Sequence, residues 1–460
     1  MARLGSDASV VAGDEVTIAR PADRADKRPW EAKALALGDA ARPADVLAGP
    51  LVATRIDGVA GHRLQAVDAL ASDGLLVGHQ SSLRRRAANA FRTATTSGVG
   101  IVLLAAAFRP VVRVLNYLEL EDRLDRSGIG TSVDHQRQAL ADAGVDLVTT
   151  PWTDGHPAWA VGGKLAFDDP VFGTYDVAHC NMIGPGSVAV ARHAKRNGIP
   201  LVLHAHVTRE DFRGSFRGSN LVAPGLGEYL KWFYSQADTV LCPSEYTKGV
   251  LEAYPIDAPI EPVTNGIDTA PLEGFGDFRE EYRERYDLDG MVVFAVGSVF
   301  ERKGLTTFCE LAQRTDYDFA WFGTYDDGPH GSDAVRKWTS DPPENVTFTG
   351  WVDDIREAYS AGDVFLFPSK VENQGIVVLE AMACGKAVVL SDIPVFREYY
   401  EDGHDCLICR DEAEFRDALA RLEANPDLRD RLGENAKTTA AEHGLDRVGD
   451  RLVDVYERVV

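Results

Sequence analysis

From residue 111 onward the apolar residues come in short runs, each followed by a longer segment with helical spacing. In the first half the runs 111–115, 145–150, 177–182, 201–204 and 239–242 predict buried strands. A helix is predicted over 131–143, stopped by Gly144, and another ends at Asn197-Gly198-Ile199-Pro200. The pattern starts afresh near Met291, with strands predicted at 291–296, 319–322, 346–348, 364–367 and 387–390. From Glu412 the chain reads as helical and acidic. Strand–helix alternation of this kind predicts an α/β protein with two doubly wound parallel sheets, helices on both faces, and a ligand cleft at the strand C-terminal ends. The boundaries that follow are 111–276 for the first domain, a charge-rich linker at 277–290, 291–440 for the second, and a last helix at 441–460 that could cross back to the first.

Residues 1–110 do not share this pattern. Twenty-five of them are Ala, none is Cys, and neither strand nor helix period persists. The apolar run 99–108 is too short to span a bilayer, and the long polar stretch before it is unlike a cleavable signal. The region reads either as a poorly ordered extension or as sequence upstream of a true start near residue 111. Charge divides the chain at the same place. Residues 1–110 carry 14 basic and 11 acidic side chains, whereas the remainder carries 34 and 60. A net charge of −23 on a folded body is the composition of a salt-adapted cytoplasmic protein, and it argues against nucleic acid as a partner. The sequence shows no feature of a stable protein partner. Six cysteines in a chain this long do not make a disulfide framework. Cys406 and Cys409 form one C-x-x-C with no second pair, so core packing is expected rather than zinc.

The most informative chemistry lies in Val371-Glu-Asn-Gln-Gly-Ile-Val-Val-Leu-Glu-Ala-Met-Ala-Cys-Gly385, where seven residues separate Glu372 from Glu380. The strand at 364–367 precedes it and a helix over 376–384 is predicted. This puts Glu372 in the strand-end loop and Glu380 about one turn into the helix. Amides of Asn373, Gln374 and Gly375 then lie at a helix N-terminus, which favours an anion. Amides for a phosphate and carboxylates for hydroxyls suit a phosphorylated, hydroxylated ligand. Gly297-Ser-Val-Phe-Glu-Arg-Lys-Gly304 follows another strand. Its Arg302 and Lys303 could hold a diphosphate, with Gly297 and Gly304 allowing close backbone approach. Gly323 and Gly350 end the next two strands. Asp287-Leu-Asp289 has the spelling of a metal-binding acidic pair but falls in the linker, and is read as surface charge.

Together these motifs resemble the retaining family 4 glycosyltransferases of the GT-B fold. The likeness rests on Pro368-Ser369, Glu372, Glu380-Ala-Met-Ala-Cys-Gly385 and Ala387-Val-Val389, with Pro243-Ser-Glu-Tyr-Thr-Lys248 and Asn265-Gly-Ile-Asp268 in the first half. It covers about residues 111–460. The resemblance implies a metal-independent hexosyltransferase whose donor is a nucleotide-diphosphate sugar, UDP-hexose in preference to GDP-hexose, with no cofactor. It implies that Glu380 holds the ribose and Glu372 the donor sugar, with Asn373 to Gly375 beside it. Lys303 would bind the diphosphate, approached from the other domain by the loop with Gly128 and Gly130. His204 would stand near the anomeric carbon, with His206 the second candidate. Family members commonly have Gly-Arg where this chain has Gly297-Ser298, so Arg302 is a candidate to replace the charge.

For the acceptor, Arg209, Arg213 and Arg217 recur every four residues with Phe212 and Phe216 between them. A basic–aromatic stretch in so acidic a chain suits an anionic membrane surface, and the competing reading is internal ion pairing. The segment also resembles the diacylglycerol-type glycolipid glycosyltransferases, which implies a lipid acceptor and a peripheral position on the inner membrane face. A soluble or polysaccharide acceptor, or a sugar-nucleotide-binding protein without turnover, are the alternatives.

Overall fold

The predicted runs inside each sheet become strands buried on both faces, as parallel sheets require, whereas the edge runs at 146–148 and 346–350 are only part-buried. The computed structural model describes residues 112–149, 174–213, 219–326, 328 and 331–460. The expectation for residues 1–110, together with Phe216 and Arg217, lies outside the described residues. The first domain contains β1 (Arg113–Tyr117), β2 (Asp146–Thr149), β3 (Val177–Cys180), β4 (Leu201–His204), β5 (Thr239–Cys242) and β6 (Ile260–Pro262) in the order 2-1-3-4-5-6. The second contains β7 (Val292–Val296), β8 (Asp318–Phe322), β9 (Val346–Gly350), β10 (Val364–Phe367), β11 (Ala387–Ser391) and β12 (Leu407–Cys409) in the order 12-11-10-7-8-9. Every strand pairing is parallel.

Strand alternation distributes the core to both faces of each sheet. Val292, Phe294, Phe365, Phe367, Val388 and Leu390 enter one layer of the second domain. Val293, Ala295, Val364, Leu366, Ala387 and Val389 enter the other. In the first domain Val114, Val177, Val202 and Leu241 face a layer closed by Val448, Leu452, Val455 and Tyr456 of the last helix, Leu445–Val459. That helix therefore packs on the first domain, against Gly128–Asp142. A Cβ at Gly449 would lie 2.6 Å from the Ala139 carbonyl oxygen, so a small residue sets the approach. All six cysteines are buried and unpaired.

The stretch 277–290 differs from its expected role as a linker. It holds the helix Arg279–Tyr286, which belongs to the second domain. Two of its charges are tied into the second domain, while the rest, Asp287 and Asp289 among them, stay exposed as surface charge. The Arg279 and Arg283 guanidiniums converge on Asp363, whose Oδ2 also accepts the Val292 amide of β7 at 2.9 Å. Tyr282 buries the remaining face. Replacing Asp363 with Ala leaves two guanidiniums and an amide without their acceptor. It should cost about 3 kcal/mol of stability, read as a lower urea midpoint for the second domain.

Candidate active site

The site forms where the strand order of the second sheet reverses, between β7 and β10, the usual ligand position in open α/β sheets. The loops leaving these strands are joined. Gly304 sits at φ +83°, and a Cβ there would lie 2.1 Å from the Pro368 carbonyl oxygen, so only glycine lets the loops approach. The Lys370 amide donates to the Arg302 carbonyl at 2.7 Å, and Ser369 Oγ donates to the same carbonyl at 3.2 Å and to Glu372 Oε1 at 2.9 Å. Behind them the Trp321 indole N–H donates to the Gly297 carbonyl at 2.8 Å and fixes the β7 loop.

This junction brings four charges together. Glu372 Oε1 lies 3.4 Å from Arg302 Nη1 and 3.9 Å from Lys303 Nζ. Arg302 Nη1 also reaches across the cleft to Asp211 Oδ1 of the first domain, at 3.1 Å. Burial lowers the Lys303 pKa, and neighbouring Glu372 opposes that shift. Burial raises the Asp211 pKa, and Arg302 opposes it. Glu380 stands on the helix Ile376–Ala383, whose N-terminus has no side-chain cap. Burial pushes its carboxyl up, countered first by the Tyr359 hydroxyl, which donates to Oε2 at 2.6 Å.

These groups line a cavity of about 900 Å³ between the two domains. Its second-domain wall holds Gly297, Arg302, Lys303, Glu372, Asn373, Gln374, Gly375 and Glu380, and its first-domain wall includes Gly128, His206 and Asp211. Two of the expected donor-binding residues, Gly130 and Gly350, and the expected catalytic His204 do not line it. Gly130 packs under the Leu124 carbonyl, 2.2 Å from where a Cβ would sit, and serves the turn. Gly350 accepts the Gly323 amide at 2.9 Å, and its neighbour Trp351 lines the cavity instead. His204 is 2% exposed and lies behind His206, the two rings stacked at 4.1 Å. The strand ends at His204, but the chain must travel two residues further before a side chain reaches the cleft. The histidine facing the cavity is therefore His206, whose Nε2 lies 3.2 Å from Asn181 Oδ1.

The side chains of Asn373 and Gln374 are engaged with the first domain. Asn373 Nδ2 donates to the His206 carbonyl at 3.1 Å, and its own carbonyl accepts Ser244 Oγ at 2.8 Å. Gln374 Oε1 accepts the Asn265 amide at 2.8 Å, and Nε2 donates to Thr264 Oγ1 at 2.6 Å. Glu398 adds a third link by accepting the Glu245 and Tyr246 amides at 2.8 and 2.7 Å. This leaves the backbone N–H groups of 373–375, rather than the side chains, to meet a ligand. Sequence reasoning missed Tyr359 and Asp211. Nothing local marks Tyr359, and Asp211 sat inside a segment read for its arginines.

The basic stretch is partly internal. Arg209 pairs with Glu210 at 2.6 Å and packs against Gly227 and the Tyr254 ring. Arg213 is exposed and Phe212 half-buried. The more apolar surface is the next helix, Ser219–Tyr234, where Leu221 is 87%, Val222 54% and Trp232 44% exposed.

Two parallel-sheet domains facing such a cleft have the architecture of the GT-B fold. Family models agree: residues 290–425 match "Glycosyl transferases group 1" and residues 164–271 match "Glycosyltransferase Family 4". The chain belongs to the family 4 glycosyltransferases and resembles the glycolipid synthases among them. It is 29% identical over 355 residues to a processive diacylglycerol alpha-glucosyltransferase of Acholeplasma laidlawii, covering 76% of this chain and 99% of the relative. It is 29% identical over 188 residues to an alpha-galactosylglucosyldiacylglycerol synthase of Streptococcus pneumoniae, covering 39% of this chain and 50% of that one. It is also 29% identical over 292 residues to an alpha-maltose-1-phosphate synthase of Mycolicibacterium smegmatis, covering 57% and 74%. In fold it matches Anabaena HepE, solved in complex with UDP and glucose, with TM-score 0.60 and 16% identity over 75% of this chain and 99% of that one. Sucrose-phosphate synthase from Thermosynechococcus elongatus matches with TM-score 0.63 and 17% identity over 75% and 98%.

Proposed function

We propose that the chain is a retaining hexosyltransferase that moves a hexose from UDP-hexose to a hydroxyl of a diacylglycerol-type membrane lipid. The observation that carries this reading is the convergence of Lys303 and Glu372 beside an uncapped helix N-terminus, with His206 on the opposite wall. Glu380 is oriented by Tyr359 to accept hydrogen bonds from the ribose, and Glu372 to accept them from the donor hexose. The diphosphate lies against Lys303 and the 373–377 amides. The anomeric C–O bond to the diphosphate breaks as the acceptor oxygen bonds to the same face of that carbon. The acceptor proton passes to a diphosphate oxygen. Charge that gathers on the leaving group is met by preorganised donors of the chain itself. His206 borders the reacting centre as a neutral imidazole, because burial lowers its pKa to about 3.

A lipid acceptor is supported by the relative matched over 99% of its own length, whose activity is on diacylglycerol. It is supported too by the exposed apolar side chains Leu221, Val222 and Trp232 on the helix Ser219–Tyr234, beside the cleft's acceptor-side segment. Among the described residues no helix is long and apolar enough to cross a membrane. The proposal is accordingly a peripheral enzyme on the inner membrane face. If the acidic surface marks molar salt as the working medium, the Debye length is about 3 Å. Leu221, Val222 and Trp232 then contribute more to membrane contact than Arg213.

The test offers UDP- and GDP-hexoses with native-lipid vesicles, with and without EDTA, and follows new glycolipids by mass spectrometry and anomeric NMR. A glycolipid made from UDP-hexose with retained configuration, unchanged by EDTA, is expected. Product only on soluble glycans overturns the lipid acceptor. An inverted linkage overturns the mechanism, and loss with EDTA overturns charge neutralisation by the chain alone.

A further inference from the structure

Asp211 has no role in the donor chemistry above, yet it is held at the cavity with some care. It is the third residue of a single helical turn, Arg209–Phe212, that begins five residues after β4. Buried Thr208 caps that turn, with Thr208 Oγ1 accepting the Asp211 amide at 3.1 Å. The carboxylate lines the same wall as His206 and meets Arg302 across the cleft. The same Arg302 Nη1 also meets Glu372 Oε1 at 3.4 Å and the Val371 carbonyl at 3.3 Å. Arg302 Nη1 is thus shared between two carboxylates, one from each domain.

A carboxylate so close to a diphosphate site works against nucleotide binding. At 6 Å and an effective dielectric constant of 20, one such charge pair repels by about 3 kcal/mol. Its presence is better matched to hydroxyl groups, which an ionised carboxylate can accept at several lone-pair positions while keeping its arginine. Glu372 does this from the donor domain. Asp211 stands opposite it on the first domain, joined to it through one guanidinium, so the two carboxylates bracket the space between donor and acceptor.

We infer that Asp211 orients the acceptor hydroxyl, accepting a hydrogen bond from the attacking group or its neighbour, with Arg302 as the residue that positions it. This rests on the glycosyltransferase reading above. It predicts a specific failure: without Asp211 the donor still binds and its bond can still break, but the hexose is delivered to water.

The test uses the full chain with UDP-glucose and measures three quantities for wild type, Asp211→Asn and Asp211→Glu. They are the UDP dissociation constant by calorimetry, donor hydrolysis, and transfer to two probes, diacylglycerol in phosphatidylglycerol vesicles and glycerol. The glycerol-to-water partition ratio keeps the result independent of which lipid is natural. In Asp211→Asn that ratio and lipid transfer should fall at least tenfold while the UDP constant stays within about threefold of wild type or tightens. Asp211→Glu should recover part of the ratio. An unchanged partition ratio overturns the inference, and so does UDP affinity that weakens in step with transfer, which would make Asp211 a support for the donor site. Wild-type protein that neither binds UDP nor cleaves UDP-glucose would instead sink the enzyme assignment.

Discussion

Replacing Lys303 with Ala is expected to lower turnover about 100- to 1,000-fold with little change in the fold, the loss typical of one preorganised charge in a water-poor site. The ammonium lies 3.9 Å from Glu372, packs over the Phe367 ring and lines the cavity floor. At 4 Å and an effective dielectric constant of 20, a unit charge pair is worth about 4 kcal/mol. That interaction grows as the diphosphate gathers charge, so kcat should fall more than donor affinity. Lys303→Arg should recover little, since the buried ammonium sits close beside Gly297, where a bulkier planar guanidinium has no room to present the same point charge. Glu380→Ala gives the contrasting signature. On the proposed reading it removes acceptors for the ribose, so the UDP dissociation constant should rise about tenfold or more while turnover at saturating donor falls less. Steady-state kinetics beside calorimetry separate the two, and equal losses in kcat and affinity for both variants would defeat the division of roles.

The second large effect is on stability in mild acid. His179, His204 and His206 form a stacked column, with ring centroids 5.6 and 4.1 Å apart, running from the cavity to Tyr456 on the last helix. Burial holds the pKa of His179 and of His206 at about 3 and lowers that of His204 well below the ordinary value. The buried Nε2 atoms of His179 and His204 have no hydrogen-bond partner among the described residues, so a proton placed there gains no hydrogen bond from them. A histidine depressed in the folded state binds its proton only on unfolding. Its contribution is therefore complete above the unfolded value of about 6.5 and is lost as pH falls below it. Three such groups give a slope approaching about 4 kcal/mol per pH unit, against a typical total stability of about 5–15 kcal/mol. Cooperative unfolding should begin below about pH 6, before most carboxylates titrate. Urea midpoints between pH 7.5 and 5 measure it, and His204→Gln should reduce the slope by about 1.4 kcal/mol per pH unit. A flat midpoint across that range would show that the column is protonated or hydrated in the native state.

The legible part of the fold was the part with local causes. Runs such as Val364–Phe367 and Leu201–His204 predict their strands to the residue, because a strand buried on both faces must be apolar throughout. Gly304 and Gly385, both at positive φ, mark turns that the sequence advertises. The placement of Glu372 in a strand-end loop and Glu380 within the next helix follows from the same periodicity. The charged stretch around Arg279 misled because exposure and ion pairing look alike in a sequence. Its acceptor, Asp363, is 84 residues away from Arg279.

The sequence by itself determined two alternating α/β halves, the strand ends that carry the chemistry, and the family. These depend on backbone periodicity and on residues close together in the chain. Only the tertiary structure decided which histidine meets the cavity, that Asn373 and Gln374 spend their side chains on the neighbouring domain, and that Asp211 joins Glu372 through Arg302. Those outcomes depend on how two sheets are set against each other. A shift of two residues past a strand end, or a contact between residues 91 positions apart such as Asp211 and Arg302, leaves no periodic trace in the chain.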